Sequence, residues 1–212
     1  MNRSRESVSF NIEGYQLKTN VDLDLAESRA ANVVGVIKSG NRKYRDEYIA
    51  IGAHFDHIGY GGAGSGSRSQ KENTVHPGAN DNASGTSGLL ELAQKLSANK
   101  GRLKRSVLLV GFDAEEKGLL GSKYFVEKPT LPLVQIKTMI NMDMIGKVKD
   151  SVVNISGVGT SPVFRPLLDS LKFMHPLKLT LSDAGLGPSD HASFYTKKIP
   201  VLFFFSGFHD EY

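Results

Sequence analysis

The sequence predicts an α/β domain in which helices flank a mixed, largely parallel central sheet. Two observations carry this prediction. Between residues 82 and 205, short apolar runs alternate with segments of helical periodicity, a pattern typical of buried strands joined by helices. Residues 1–45 are instead dominated by strand-like patterns. The chain of 212 residues is therefore interpreted as one domain, with a β-rich segment at 1–45 and an α/β core at 46–212.

The individual elements follow in chain order. Residues 7–12, SVSFNI, alternate polar and apolar side chains, and residues 32–55 are interpreted as two strands joined at a Gly-Asn turn. Residues 59–69, GYGGAGSGSRS, are too rich in Gly and Ser to pack a core and predict an exposed loop. Apolar residues at helical spacing predict a long helix over 82–98. The further predictions are strands at 106–112, 137–144, 151–156, 177–181 and 200–205, and helices at 119–126, 162–171 and 190–197.

Composition limits the classes of protein to which the chain can belong. The net charge of +4 comes from scattered Lys and Arg residues, so no nucleic-acid partner is expected. No apolar run reaches the roughly 18 residues of a membrane span. Cys is absent, which excludes disulfide and thiol chemistry. The polar N-terminus leaves localisation open: secreted or periplasmic if a longer precursor carries a signal peptide, otherwise cytoplasmic. No pattern indicates the oligomeric state.

Acidic and imidazole side chains gather where the predicted strands end. Each has an ordinary explanation on its own: a polar residue at a sheet edge, or, for Asp81, a cap of the following helix. Asp143 is harder to explain, because a carboxylate in an apolar strand needs a cation or strong hydrogen bonds. In a parallel sheet, ligands collect at the carboxyl ends of the strands. The residues concerned are His54, Asp56, His57, Asp81, Asp113, Glu115, Glu116, Asp143 and His209.

This set of side chains predicts a metal site. Oxygen and imidazole donors without thiolate suit Zn²⁺, and less specifically Mn²⁺ or Co²⁺. The carboxylates are too numerous for one catalytic zinc ion, which usually has three protein ligands. Two ions that share one carboxylate would balance the charge, and such ions typically lie about 3.5–4 Å apart. The prediction is therefore Zn²⁺, two ions per chain.

Five segments, taken together, resemble the M28 zinc peptidases, a family of co-catalytic aminopeptidases and related exopeptidases. The resemblance runs from about Ala50 to the C-terminus, and the order and approximate spacing of the segments also match. It implies a zinc exopeptidase-like fold and hydrolysis of the N-terminal residues of peptides by a metal-activated water. The segments are GAHFDHIG (52–59), GANDNASG (78–85), FDAEEKGLLGS (112–122), NMDMIG (141–146) and SDHASF (189–194).

The resemblance also implies a role for each matching residue. His54 and Asp143 would bind one metal ion, Glu116 would bind the second, and Asp81 would bridge both. Glu115 would be the general base, and Asp56 would orient His54. Asp190 and His191 are expected either in the pocket wall or directly behind the metal ligands. His57 and Asp113 are expected to have structural roles. His76 and His175 are expected to be ordinary surface residues.

The sequence departs from the family pattern at its C-terminus. The final ligand of the second metal ion would follow Tyr212, the last residue, so the chain is expected to be truncated. His209, three residues before Tyr212, is a candidate substitute, although a histidine so near the chain end would be a poor ligand. Tyr212 itself would stabilise the oxyanion. Two alternatives to an aminopeptidase remain open: a glutaminyl cyclase-like zinc acyltransferase, and a non-catalytic peptidase-like domain that serves as a binding or scaffold module.

Overall fold

A computed structural model of the protein describes residues 13–22, 28–62, 65–67, 74–172, 174 and 177–209. These residues form seven strands and four α-helices. The strands are β1 (Val33–Ile37), β2 (Tyr48–His54), β3 (Ser106–Phe112), β4 (Ile136–Met142), β5 (Val152–Ser156), β6 (Lys178–Leu181) and β7 (Val201–Phe205). The α-helices are α1 (Gly85–Ala98), α2 (Leu120–Glu127), α3 (Phe164–Lys172) and α4 (His191–Thr196).

All seven strands belong to one mixed sheet with the order β1-β3-β2-β4-β7-β5-β6. The four central strands, β3, β2, β4 and β7, run parallel to one another. At one edge β1 lies antiparallel to β3. At the other side β5 lies antiparallel to β7 and parallel to β6. The carboxyl ends of the central strands therefore meet along a single edge of the sheet, where a parallel sheet binds its ligands.

Helices cover both faces of the sheet because side chains of the central strands are apolar on both sides. In β3, Leu108 and Val110 face a cluster that includes residues of α2 and α4, whereas Val107 faces a cluster that includes Leu89 of α1. This alternation is the period of two expected of a strand. A third cluster, built around Leu168 of α3, packs against β5 and β7. The predicted α/β architecture with a mixed, largely parallel sheet is confirmed.

The predicted elements after residue 82 are all found, with ends within three residues of those predicted. The strands predicted on either side of the Gly-Asn turn are found as β1 and β2. The prediction that the turn joins them as a pair was wrong, because β3 lies between them and pairs with both. The predicted strand at 7–12 lies outside the described residues. Within the described ranges, no helix has the length and apolar character needed to cross a membrane.

Candidate metal centre

Three neighbouring strands deliver the candidate residues to one edge of the sheet. His54 is the last residue of β2 and is in register with Phe112, the last residue of β3. Glu115 and Glu116 lie in the turn that follows β3, and Asp143 follows directly after β4. These segments are distant in sequence, so strand pairing is what brings their side chains together.

Asp81 comes from the turn at Ala79–Ser84 that leads into α1. Its backbone is extended within that turn (φ −109°, ψ 98°), and the peptide bond to Asn82 is cis. The N-cap position of α1 belongs to Ser84 and not to Asp81. The carboxylate of Asp81 is only 10% exposed and faces His54.

Asn82 fastens this turn to the end of β4. Its side chain is 1% exposed, and its amide nitrogen donates to the carbonyl of Met142 (3.0 Å). Its Oδ1 accepts hydrogen bonds from the backbone N–H groups of Gly85 (2.9 Å) and Met144 (3.2 Å). Asn82 thereby sets the distance between its neighbour Asp81 and the segment that carries Asp143.

Two further side chains in the same turn strengthen this attachment. Ser84 Oγ accepts a hydrogen bond from the backbone N–H of Ile145 (2.9 Å) and donates to the carbonyl of Asn80 (2.6 Å). Asn80 Oδ1 accepts from the N–H of Gly146 (2.8 Å). The small polar residues around Asp81 therefore hold the turn against the chain that follows β4.

His54, Asp81 and Asp143 form the first group of donor atoms suited to a metal ion. His54 Nε2 lies 3.2 Å from Asp81 Oδ1 and 3.4 Å from Asp143 Oδ1. Ligands about 2.0–2.2 Å from a tetrahedral zinc ion are separated by about 3.3 Å. The spacing of this group therefore fits zinc ligands, and all three residues are buried.

His57, Asp81 and Glu116 form a second group, which shares Asp81 with the first. His57 Nδ1 lies 2.7 Å from Glu116 Oε1 and 3.8 Å from Asp81 Oδ2. Asp81 thus presents Oδ1 to one group and Oδ2 to the other. Within the ranges that the structure describes, these are the two groups of this kind.

Asp56 lies behind His54 and the glutamate pair. His54 Nδ1 contacts the backbone carbonyl of Asp56 (3.1 Å) more closely than its carboxylate (3.6 Å). Because a carbonyl only accepts, Nδ1 carries a hydrogen and Nε2 faces the carboxylates. The Asp56 carboxylate accepts hydrogen bonds from the backbone N–H groups of Glu115 (3.0 Å) and Glu116 (3.2 Å). Asp56 therefore orients the imidazole through its backbone and the glutamates through its side chain.

The carboxylates favour a positive charge on His54. Burial by itself lowers the pKa of His54, but hydrogen bonds to Asp143, Asp56 and Asp81 raise it, and the net shift is upward. Without a metal ion, a proton therefore supplies the positive charge that this group of donors attracts. The donor chemistry, spacing and electrostatics of the first group all fit a divalent cation.

The two adjacent glutamates are also affected by burial. Burial raises the pKa of Glu115 to about 8, with His54 acting in the opposite direction. Burial, followed by the nearby charge of Asp81, raises the pKa of Glu116. Glu115 Oε2 lies 4.0 Å from His54 Nε2, farther than either carboxylate of the first group. Glu115 is therefore beside the first group without belonging to it.

Asp190 and His191, expected in the pocket wall, are both fully buried. Burial raises the pKa of Asp190 to about 7, and its charge is close enough to interact with His54 and Asp143. Burial lowers the pKa of His191 to about 4, and its ring stacks on Phe203 with 4.3 Å between centroids. These two residues belong to the protein interior next to the donor cluster.

The other histidines differ in their relation to the cluster. His57, expected to be structural, lies in the second donor group. His209 Nε2 contacts the side-chain nitrogen of Asn80 (2.8 Å) and lines a cleft of about 550 Å³ together with His57 and Asp81. His76 contacts Ser67 (2.9 Å) and lines the same cleft. His175 and Tyr212 lie outside the described residues.

Asp113 has a structural environment. Its carboxylate accepts hydrogen bonds from the backbone N–H groups of Ala31 (2.9 Å) and Ala114 (2.8 Å). It thereby connects the chain before β1 to the turn after β3. Sequence reasoning did not anticipate two features of this site. His57 lies in the second donor group, and Asn82 holds the turn that carries Asp81. The density of polar residues in GANDNASG was the available signal for Asn82.

The class of protein follows from these observations: an α/β domain with metal-type ligands at the carboxyl ends of its parallel strands. The sequence profile of peptidase family M28 matches residues 32–212, and the chain belongs to this family. This confirms the resemblance found in the sequence.

Curated relatives include leucine aminopeptidase 2 of Trichophyton equinum and aminopeptidase YwaD of Bacillus subtilis. The first is 28% identical over 195 residues, which cover 87% of this chain and 35% of the relative. The second is 29% identical over 181 residues, which cover 83% of this chain and 35% of the relative. The chain therefore spans about a third of the length of these relatives.

Solved structures show the same fold. A zinc aminopeptidase from Bacillus subtilis, BSAP, superposes with a TM-score of 0.64 at 25% identity, covering 84% of this chain and 40% of that one. A Zn-dependent exopeptidase from Parabacteroides distasonis gives a TM-score of 0.66 at 18% identity, covering 86% of this chain and 68% of that one. At that identity the second comparison supports the fold alone.

Proposed function

We propose that this chain carries the catalytic domain of a zinc-dependent aminopeptidase. The observation that carries the proposal is the first donor group: His54, Asp81 and Asp143 come from three separate segments and meet at the spacing of zinc ligands. Membership of peptidase family M28 and the names of the aminopeptidase relatives support the same activity. These names do not favour a cyclase or a non-catalytic module.

In this proposal each side chain has a defined task. His54 and Asp143 are ligands of one zinc ion, Asp81 is shared with a second ion, and Glu116 belongs to that second ion. Asp56 positions His54 and the two glutamate backbones by the contacts described above. Such supporting contacts typically contribute 10–100-fold to metal affinity or activity.

Bound zinc would supply Lewis-acid chemistry, which activates a water molecule and polarises the scissile carbonyl. Glu115 accepts the proton of the attacking water at Oε2, which faces the cluster. It then delivers this proton to the departing amine. Burial raises the pKa of Glu115 to about 8, which suits a group that must both accept and release a proton near neutral pH.

Removal of N-terminal residues is supported by the relatives, which are named as aminopeptidases. The carboxylates of Asp81, Glu115, Glu116 and Asp143 converge on a small volume. Bound zinc would balance most of this charge, so the charge of the site does not by itself select one end of a peptide.

Hydrolysis of aminoacyl p-nitroanilides tests the proposal. We expect chromophore release with zinc, none after chelation, and recovery when zinc is restored. Glu115→Gln should bind zinc as the wild type does but lose about 10²–10⁴-fold in turnover, because general acid–base catalysis is removed. Glu127→Gln, at the exposed end of α2, is the matched control and should remain fully active.

Two results would contradict the proposal. Full activity of Glu115→Gln would show that another group accepts the proton. Ammonia release from a peptide with N-terminal glutamine, without chromophore release from any anilide, would identify a cyclase.

A further inference from the structure

The edge of the sheet opposite the metal centre carries a concentration of positive charge. The parallel strands all begin at this edge, at Tyr48, Ser106, Ile136 and Val201. The segments that lead into these strands form what we call the basic edge: residues 38–47, 95–105, 128–137 and 197–200. They contain 13 of the 26 Lys and Arg residues of the chain but only two of its 22 Asp and Glu residues. With 13 positive against two negative residues the basic edge has a formal charge of +11, and the rest of the chain has −7.

Hydrogen bonds hold the segments of the basic edge against one another. Ser106 Oγ donates to the carbonyl of Arg45 (2.6 Å) and accepts from the backbone N–H of Ser39 (3.0 Å), which joins the segments before β2 and β3. The carbonyl of Pro200 accepts from the backbone N–H of Met139 (2.9 Å), which joins the segment before β7 to β4. The fold therefore fixes on one surface the cations that are scattered in the sequence.

Most of these cations face solvent without an acidic partner. All 13 except Arg105 are exposed. Asp46 and Glu47 are the two acidic residues of the basic edge, and their carboxylates lie 3.6 Å from Lys38 Nζ and 2.6 Å from Arg105 Nε. In the part of the chain that the structure describes, the other eleven cations form no ion pair. A surface with this field attracts anions and raises their local concentration.

The basic edge is also well separated from the metal centre. The strands β2 and β3 contain seven residues each, and a strand rises about 3.3 Å per residue, so the two edges of the sheet are roughly 20 Å apart. No residue of the basic edge belongs to either donor group that the structure describes. A flat anionic body that contacts the basic edge would therefore leave the metal centre open to solution.

We propose that the basic edge is a docking surface for a membrane that contains anionic phospholipids. Its cations are spread over four adjacent strands, a width of about 14 Å for the strands alone, as suits a flat and extended partner. Each Lys or Arg close to such a membrane strengthens binding about fivefold. The inference goes beyond the proposed function and does not depend on it, because it involves none of the residues of the metal centre.

An exposed apolar side chain favours a membrane over a nucleic acid. Val134 is 78% exposed within the basic edge, and its carbonyl accepts a hydrogen bond from Lys137 Nζ (3.0 Å). The phosphate backbone of a nucleic acid offers this side chain no apolar contact, whereas the boundary between headgroups and acyl chains does.

The aromatic rings of the basic edge point in the same direction. Lys43 Nζ and Arg105 Cζ lie 5.0 and 5.1 Å from the ring centroid of Tyr44. Lys38 Nζ lies 4.7 Å from the ring centroid of Tyr48. These rings are occupied by cations of the same surface, so they do not offer the free faces on which proteins stack the bases of single strands.

Sedimentation with lipid vesicles provides the first test. The full chain is mixed with vesicles of phosphatidylcholine alone, or with vesicles of phosphatidylcholine and phosphatidylglycerol in equal parts. We expect binding to the anionic vesicles only. Raising the salt concentration from about 0.1 M to about 1 M should release the protein, because the screening length falls from about 10 Å to about 3 Å.

A charge-matched pair of triple variants separates the basic edge from net charge. One variant removes three exposed cations of the basic edge, by Lys100→Gln, Arg102→Gln and Lys104→Gln. The other removes three exposed cations near the opposite edge, by Lys123→Gln, Lys149→Gln and Lys178→Gln. Both lower the net charge of +4 by three. At about fivefold per cation, the first variant should lose about 100-fold in vesicle affinity, and the second less than about fivefold.

Fluorescent labels measure the orientation of the bound protein. The chain contains no cysteine, so Ala98→Cys and Val148→Cys each introduce one site for a fluorophore. Ala98 ends α1 at the basic edge, whereas Val148 lies in the loop that follows β4 on the side of the metal centre. A quencher attached to lipid headgroups should quench the label at 98 and leave the label at 148 bright. These variants retain all the cations, so the measurement decides the matter even if a triple variant does not fold.

Several outcomes would overturn the inference. They are equal binding to the two kinds of vesicle, equal losses of affinity in the two triple variants, and equal or stronger quenching of the label at 148. Tighter binding to a DNA duplex than to anionic vesicles at the same salt concentration would identify a nucleic acid as the partner instead. Hydrolysis of aminoacyl p-nitroanilides without vesicle binding would refute this inference alone. Vesicle binding without hydrolysis would refute the proposed function alone.

Discussion

Replacement of Asn82 tests whether the turn around Asp81 is held by the hydrogen bonds that the structure shows. Asn82→Ala removes three hydrogen bonds: one donated to the carbonyl of Met142 and two accepted from the N–H groups of Gly85 and Met144. All four residues are buried, so water cannot easily replace the lost partner.

The size of the effect follows from the number of bonds. A buried hydrogen bond contributes about 1 kcal/mol net, so the free energy of unfolding should fall by about 3 kcal/mol. That is a large part of the roughly 5–15 kcal/mol by which a domain is normally stable. Because Asn82 also sets the distance between Asp81 and Asp143, zinc affinity should fall about 10–100-fold.

Urea unfolding in the presence of a chelator measures the first quantity, and competition with a chromophoric chelator measures the second. Asn99→Ala is the matched control: its side chain makes an exposed hydrogen bond to the carbonyl of Lys95 (2.8 Å), and its loss should cost less than about 0.5 kcal/mol. A loss of less than about 1 kcal/mol for Asn82→Ala, with unchanged zinc affinity, would refute the reasoning.

Three further predictions concern the cluster and the core. Asp81→Asn should lower zinc affinity more than about 100-fold, because it removes the carboxylate that both ions would share. Between pH 6.5 and 8 the unfolded chain releases protons that folded His54 and Glu115 largely retain, since both pKa values are raised, so metal-free stability should fall by up to about 1.4 kcal/mol per group per pH unit. Gly52→Ala should cost about 1–3 kcal/mol, because its Cβ would lie 2.5 Å from the buried ring of Phe112.

Each of these has a direct measurement. Competition with a chromophoric chelator tests Asp81→Asn, and wild-type zinc affinity would show that Asp81 is not a ligand. Thermal unfolding with and without zinc tests the pH dependence: the stabilisation by zinc should grow as pH rises from 6.5 to 8, and a constant difference would contradict it. Urea unfolding tests Gly52→Ala, and wild-type stability would show that the space beside Phe112 can relax.

Much of the fold could be predicted because its core strands are buried on both faces. Such strands appear in the sequence as continuous apolar runs, and their ends can be located within a few residues, as for β3 at Ser106–Phe112. Which strands pair with one another could not be predicted in the same way. The turn between β1 and β2 suggested that they pair with each other, yet β3, which follows much later in the chain, lies between them. Pairing over such distances is decided by the packing of the whole sheet.

In the candidate site, too, the sequence predicts the residue types, whereas their contacts depend on the tertiary structure. The acidic and imidazole residues at the strand ends could be picked out from their types and positions. The supporting role of Asn82 could not, because it depends on contacts with Met142 and Met144, about 60 residues away in sequence. Likewise, the family resemblance assigned a ligand role to His54 and a structural one to His57, and the contact between His57 and Glu116 became visible only in the structure.

The sequence by itself therefore determined the order of elements, the family and the kinds of donor atom available. Only the tertiary structure decided which donors meet, how far apart they lie, and that His57 faces Glu116 and Asp81. The physical reason is that secondary structure and donor chemistry are properties of short segments. A metal centre is instead a property of distances between segments, and those distances exist only once the sheet has assembled.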